Sequence, residues 1–391
     1  MIQLNNLRGN MIKKLILGFV AIALIGLSII YISGHGFLIT AAKRVYMQGN
    51  STANINDHEQ FYTRAIKTNE PQPLTEHPQI NSQPLSDEFI AEIDKQKVAA
   101  FVVIQNDQIV SERYFNGYDS RSKTNSFSMA KTVLTMLVGK AIEEGYITSF
   151  DQPIVTLLPE FKGDPLGEKA TLAHLSLMNS GYEWTEHYYS PVSPTVELLY
   201  GSDIERFLTG GYFSAEPGTF WEYSSASTQL LGIALKRALL ANNAADSVSD
   251  YLSQKLWQPL GMNDDALWHL DNSDMELVFC CLNSNARNFA KLGMLMLNNG
   301  QWNDQQVLPK DLVEMMITPV GQPYYGYSTW LGLDHQPAHY YMSGHLGQFV
   351  IVVPEHNMVV VRLGESSSSE REMMEQEIPF LIDQALQQLP K

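Results

Sequence analysis

Residues Leu15 to Ile32 form an apolar run whose main polar interruption is Ser28, and no charged side chain occurs from Leu15 to Ala42. A helix of about eighteen residues rises roughly 27 Å, close to the hydrocarbon thickness of a bilayer. A helix buried in a soluble core normally carries a polar face, and this run has none. The segment is therefore expected to enter a membrane through residues 15–32. Arg8, Lys13 and Lys14 precede it, and Lys43 and Arg44 follow it. This bias favours a cytoplasmic N-terminus with the remainder on the far side, which in a bacterium means the inner membrane and the periplasm. The run exceeds the usual length of a signal peptide's apolar region. The best cleavage candidate, Thr40-Ala41-Ala42, also lies well past it. An uncleaved anchor is favoured over a cleaved signal that would release the domain into the periplasm.

The charge distribution separates this segment from the rest. The first fifty residues hold five basic groups and no acid, which leaves 21 basic against 42 acidic side chains in the remainder. A strongly acidic domain argues against nucleic acid as a partner, because phosphate binding needs a basic face. An apolar content of 45% supports a folded core. The two cysteines, Cys280 and Cys281, are adjacent, cannot staple distant segments, and are expected as small buried hydrophobes. Nothing in the sequence fixes an oligomeric state.

Residues 44–87 are polar and contain Pro71, Pro73, Pro78 and Pro84, which reads as a spacer between an anchor at 1–43 and a domain at 88–391. Val98–Gln105 is apolar and β-branched, Asn106-Asp107 is a turn signal, and Ile109–Tyr114 alternates, so a hairpin is expected. Helical spacing marks 126–146, Gln229–Leu240, Ala286–Leu297 and Ile378–Leu389. Strands return at Tyr340–Ser343, Gln348–Val353 and Met358–Leu363, and Ser366–Ser369 reads as a loop. The order strands, helices, strands, helix predicts an α/β fold. An antiparallel sheet formed by N- and C-terminal strands is flanked by helices, and a mostly helical subdomain is inserted between them.

Ser128-Met129-Ala130-Lys131 opens the strongest apolar helix. Residues i and i+3 share a helix face, so Ser128 and Lys131 can meet. A serine hydroxyl attacks only when a base takes its proton, and a buried lysine of depressed pKa can be that base. The pattern is weak alone. Ser120-x-x-Lys123 also matches, but in a polar stretch without apolar periodicity. Tyr223 follows the Pro217-Gly218 turn and precedes a helix, whereas Tyr114-x-Asn116 and Tyr251-x-Ser253 show that a tyrosine two places before Ser or Asn also arises by chance. Ser343-Gly344-His345-Leu346-Gly347-Gln348 links two late strands, and its glycines permit close backbone approach to a ligand.

Together and in this order, the Ser-x-x-Lys helix, Pro217-Gly218 followed by Tyr223-Ser224, and the glycine-rich strand resemble the serine β-lactamase and penicillin-binding superfamily. The class C branch fits best, and within it the nylon-oligomer (aminohexanoate-dimer) hydrolases and related esterases. The resemblance covers roughly residues 90–385. It implies a β-lactamase/transpeptidase-like fold without cofactor. It also implies roles: Ser128 as acylated nucleophile, Lys131 as base, Tyr223 as proton shuttle, and the backbone N–H groups of Ser128 and His345 as an oxyanion hole. Trp184 and Tyr188, on the loop after Ser180-Gly181, would border the substrate pocket with Ser225 and Gly344.

Two departures from the family pattern matter. Ser225 stands where β-lactamases of this type carry Asn, and Ser343-Gly344-His345 stands where they carry Lys-Thr-Gly. The missing lysine supports recognition of a substrate carboxylate, so hydrolysis of a small-molecule or short-peptide amide or ester other than a β-lactam is expected. The alternatives are a D-amino-acid peptidase of the penicillin-binding type or a β-lactamase, and a non-catalytic binding protein that retains the fold. No His-Glu-x-x-His occurs, His335 and His339 lie in a loop with Pro337, and no catalytic metal is expected.

Overall fold

The computed structural model describes residues 2–366 and 373–391 and divides them into two compact units. Ser367–Ser369 of the expected loop lie outside the described residues.

The first unit joins residues 1–53 to 187–202. It contains the helices Ile2–Ile32, Gly36–Arg44 and Pro194–Tyr200, the last two packed against each other. The 22-residue span Met11–Ile32 is long and apolar enough to cross a membrane, and its most apolar 18-residue window has a mean hydropathy of 2.8 with none of it buried.

The second unit, residues 54–186 and 203–391, holds the sheets. Its strands are β1 (Tyr62–Ile66), β2 (Thr75–Glu76), β3 (Val98–Gln105), β4 (Gln108–Tyr114), β5 (Thr124–Asn125), β6 (Ala266–Leu270) and β7 (Leu282–Ser284). There follow β8 (Gln301–Trp302), β9 (Gln305–Gln306), β10 (Trp330–Gly332), β11 (His339–Gly344), β12 (Gln348–Val353) and β13 (Met358–Gly364). Seven of them form one sheet in the order β10-β11-β12-β13-β3-β4-β2. As the pattern predicts, strands from both ends of the domain share it, with β13 antiparallel to β3. Strand β3 is buried on both faces, which explains its nearly continuous apolar sequence. On one face Phe101, Val103, Ile351 and Val360 pack with Phe89 of the helix Asp87–Lys95 and with Leu381 and Ile382 of the helix Ile378–Gln387. On the other face lies the helix Ala286–Leu297. There a Cβ on Gly293 would fall 2.6 Å from Val350 and 2.7 Å from Val359, so glycine sets how closely helix and sheet approach.

Two features differ from the sequence expectation. Residues 62–66, inside the expected spacer, form β1 and pair with β6. The inserted region also contributes β6 and β7 to a second sheet, ordered β1-β6-β7-β5. Tyr-Thr-Arg-Ala-Ile shows no strict apolar alternation because β1 is an edge strand, with Tyr62 exposed and only Ile66 buried.

Candidate active site

The helix Met129–Glu143 packs against β11 and β12 and is buried along nearly its whole length. Ser128 occupies its N-cap position, yet the hydroxyl makes no capping bond, so it is left for other chemistry. Phe127 precedes it at φ +45°, in the left-handed region that a bulky residue adopts only under constraint. The constraint is visible: the Phe127 N–H donates to Asn125 Oδ1 at 2.9 Å, and the Ser126 hydroxyl donates to the Phe127 carbonyl at 3.1 Å.

One helical turn on, Lys131 is 1% exposed. Its Nζ donates to Ser128 Oγ at 3.3 Å, Ser225 Oγ at 3.0 Å and the Phe279 carbonyl at 2.8 Å. Burial pulls its pKa down to about 8, partly offset by the negative charge of Glu186. The Tyr223 ring centroid lies 5.2 Å from the same nitrogen. Tyr223 also stacks on Trp330 at 5.7 Å. Ser224 explains why the chain turns helical directly after Tyr223, because its hydroxyl accepts the Ser227 N–H and caps the helix Ser225–Ala241. Gly218, at φ +84°, makes the preceding Pro-Gly turn.

The glycine-rich stretch lies against the loop that carries Ser126 and Ser128. A Cβ on Gly344 would fall 2.1 Å from the Ser126 carbonyl, so only glycine allows β11 this close. The His345 ring meets Phe127 edge-on at 5.4 Å, and burial lowers its pKa to about 4, which keeps the imidazole neutral. The turn carrying His345 is braced from below. Arg362, fully buried on β13, donates to the Leu346 and Gly347 carbonyls at 2.9 and 2.6 Å. Gln348 donates to the His345 and Gly364 carbonyls at 3.1 and 2.7 Å.

The sequence thus names five residues that the fold brings to one place: Ser128, Lys131, Tyr223, Ser225 and the His345 turn. Ser225 is 1% exposed, with its hydroxyl engaged by Lys131 on one side and Glu186 on the other. Trp184 is also largely buried. It packs against Phe207 at 6.4 Å, and its indole N–H donates to Glu186 Oε2 at 2.7 Å. Tyr188 belongs to the first unit. Sequence reasoning missed Glu186, which has no motif around it. Its only signal is position, two residues after Trp184 in the loop singled out for the pocket.

Cys280 and Cys281 are buried, as expected, but they are also joined by a disulfide, contrary to the reading of both as bond-free hydrophobes. The pair directly follows Phe279, whose carbonyl receives Lys131, and Cys281 takes φ +72°. Because the bond closes between neighbours, it still staples no distant segments.

A 6-aminohexanoate-dimer hydrolase of Paenarthrobacter ureafaciens is 25% identical over 229 residues, covering 56% of each chain, so the present chain spans about half the length of that curated relative. A Bacillus anthracis structure provisionally named as a 6-aminohexanoate-dimer hydrolase superposes with a TM-score of 0.74 at 24% identity, covering 85% of this chain and 93% of that one. A family VIII carboxylesterase structure gives a TM-score of 0.61 at 16% identity over 81% of this chain and 99% of its own. At these identities the two structures speak to the fold. The Beta-lactamase family model matches residues 87–379, most of the length of this chain, which therefore belongs to the β-lactamase family.

Proposed function

We propose that the chain is a serine hydrolase that cleaves an amide or ester bond through an acyl-enzyme on Ser128. The observation that carries this reading is the buried Lys131 ammonium, 3.3 Å from an uncapped serine hydroxyl and with a pKa lowered to about 8. A lysine in that range can be neutral in an appreciable fraction of molecules near neutral pH and can accept a proton. In the first half-reaction Ser128 Oγ bonds to the substrate carbonyl carbon as its proton passes to Lys131. The Ser128 and His345 backbone N–H groups receive the oxyanion. Tyr223 relays a proton to the departing amine or alcohol as the old bond breaks. Water then attacks the ester on Ser128, loses its proton along the same groups, and releases the acid.

The names of the relatives, an aminohexanoate-dimer hydrolase and a carboxylesterase, support an amide or ester substrate. Ser343-Gly344-His345 in place of Lys-Thr-Gly supports a substrate other than a β-lactam. The apolar helix Met11–Ile32 supports anchoring in a bacterial inner membrane with the hydrolase domain in the periplasm.

The test is a fluorophosphonate probe on the detergent-solubilised full chain, followed by peptide mass spectrometry and turnover of nitrophenyl esters, peptide amides and nitrocefin. The adduct is expected on Ser128 and absent in Ser128→Ala. Lys131→Ala and Tyr223→Phe are expected to lower kcat about 10²–10⁴-fold. A folded protein that takes no label on Ser128 would overturn the reading. Stable labelling by a fluorescent penicillin would redirect it to a penicillin-binding activity.

A further inference from the structure

Lys131 can serve as a base for Ser128 only if its lone pair, when neutral, points at that hydroxyl. The surroundings of the nitrogen bear on this. A neutral amine has two N–H bonds and one lone pair, and three oxygen atoms surround Lys131 Nζ: Ser128 Oγ, Ser225 Oγ and the Phe279 carbonyl. The Phe279 carbonyl only accepts, so it takes one N–H. Ser225 Oγ is ambiguous in itself, because a hydroxyl both donates and accepts.

Glu186 removes the ambiguity. Its Oε1 lies 2.7 Å from Ser225 Oγ, while Oε2 accepts the Ser225 backbone N–H at 2.8 Å and the Trp184 indole N–H at 2.7 Å. An ionised carboxylate can only accept, so the Ser225 hydroxyl proton must point at Glu186. Ser225 Oγ then offers Lys131 only lone pairs and takes its second N–H. What remains on the nitrogen faces Ser128.

We propose that Glu186 is a positioning residue for the hydrolysis, acting through the Ser225 hydroxyl to aim the Lys131 lone pair at Ser128. This assignment rests on the reading of Ser128 and Lys131 as nucleophile and base. It also gives Ser225, the departure from the family's Tyr-x-Asn pattern, a partner of its own. The carboxylate has a second effect. Burial lowers the Lys131 pKa, and Glu186 is the charged group that raises it again. The other groups around Nζ are uncharged: the Ser128 and Ser225 hydroxyls, the Phe279 carbonyl and ring, and the Tyr223 ring. Farther out, burial and the charges of Glu183 and Glu186 hold the Glu222 carboxyl above its usual range.

Glu186→Gln is the discriminating variant. A glutamine fills the same space, but its amide nitrogen can donate to Ser225 Oγ and turn the hydroxyl proton toward Lys131. The lysine lone pair would then meet Ser225 instead of Ser128. The variant also removes the charge that raises the Lys131 pKa. Because the base must be neutral, kcat/KM climbs with pH through that pKa. Losing Glu186 therefore lowers the plateau and moves the rise to lower pH.

The experiment is a set of pH profiles of ester hydrolysis for the full chain and for Glu186→Gln, Glu186→Asp, Ser225→Ala and the Glu186→Gln/Ser225→Ala double variant, with thermal unfolding of each as a folding control. We expect a plateau loss of about tenfold or more for Glu186→Gln, an inflection shifted to lower pH, and partial recovery of both in Glu186→Asp. The double variant should be no worse than the poorer single variant, because the two groups act in series. Losses that multiply, or an unshifted inflection in folded Glu186→Gln, would overturn the assignment. If Ser128→Ala and Lys131→Ala retained activity, the hydrolase reading itself would fail, whereas their inactivity beside an unperturbed Glu186→Gln would refute only the role of Glu186.

Discussion

Arg362→Met tests whether the turn carrying His345 depends on a charge hidden beneath it. Arg362 is fully buried on β13 and faces Phe349 of β12 and Phe101 of β3 in the strand register. Its Nη1 holds the Leu346 and Gly347 carbonyls, and its Nη2 reaches the Ser366 carbonyl at 2.7 Å and Gln96 Oε1 at 3.0 Å. Burial lowers its pKa to about 10, with Glu377 acting in the opposite sense, so it stays protonated at neutral pH. Methionine fills a similar length of side chain without a donor. A buried acceptor stripped of its partner costs about 1–3 kcal/mol. Two turn carbonyls would be stripped, while the cost of burying a charge is recovered. The net expectation is a loss of about 2–4 kcal/mol. For a large domain at about 2 °C per kcal/mol this lowers Tm by roughly 4–8 °C. Urea denaturation and thermal melts measure it, and ester hydrolysis on the folded fraction reads the turn. The kcat is expected to fall with KM little changed, because in the proposed mechanism the turn supplies the His345 N–H for the oxyanion. A loss below about 1 kcal/mol with unchanged kcat would refute this account of the turn.

Gly344→Ala should lower kcat/KM for a nitrophenyl ester more than tenfold and cost about 1–3 kcal/mol of stability, because its Cβ would sit 2.1 Å from the Ser126 carbonyl and push β11 away from the loop that carries the proposed nucleophile, Ser128. Leu24→Arg, at the middle of the apolar helix, should weaken membrane insertion by about 2.5–3.5 kcal/mol, read as a shift from the carbonate-resistant to the extractable fraction; an unchanged distribution would argue against a spanning helix.

Where a segment's own periodicity decides its structure, the sequence was easy to read. The helix Ala286–Leu297 and the strands Val98–Gln105 and Gln348–Val353 fall where their spacing puts them. Ser128 and Lys131 were legible for the same reason, since one helical turn joins them. Partners joined by folding alone were not. Strand β1 is read as spacer until β6, some two hundred residues later, pairs with it. Arg362 and Glu186 look like two more surface charges in an acidic domain. Arg362 is buried and Glu186 half-buried by carbonyls, hydroxyls and N–H groups from other segments, and no local pattern announces those. The bond between Cys280 and Cys281 was hidden by a sound rule about distant staples that does not address neighbours.

The pairing of β3 with β13 also sets a timetable. The two strands at the heart of the main sheet are more than 250 residues apart in sequence. At a synthesis rate of about 5–20 residues per second, β3 emerges roughly 10–50 s before its partner exists. During that interval Val-Ala-Ala-Phe-Val-Val-Ile-Gln has no neighbour on its β13 side, and such a segment can pair with another copy of itself. For a chain threaded unfolded across a membrane, the late closure keeps it open long enough to pass. The same delay leaves the β3 edge of the newborn chain open until its last strand arrives, and makes loss of the final forty residues far more damaging than their small share of the length suggests.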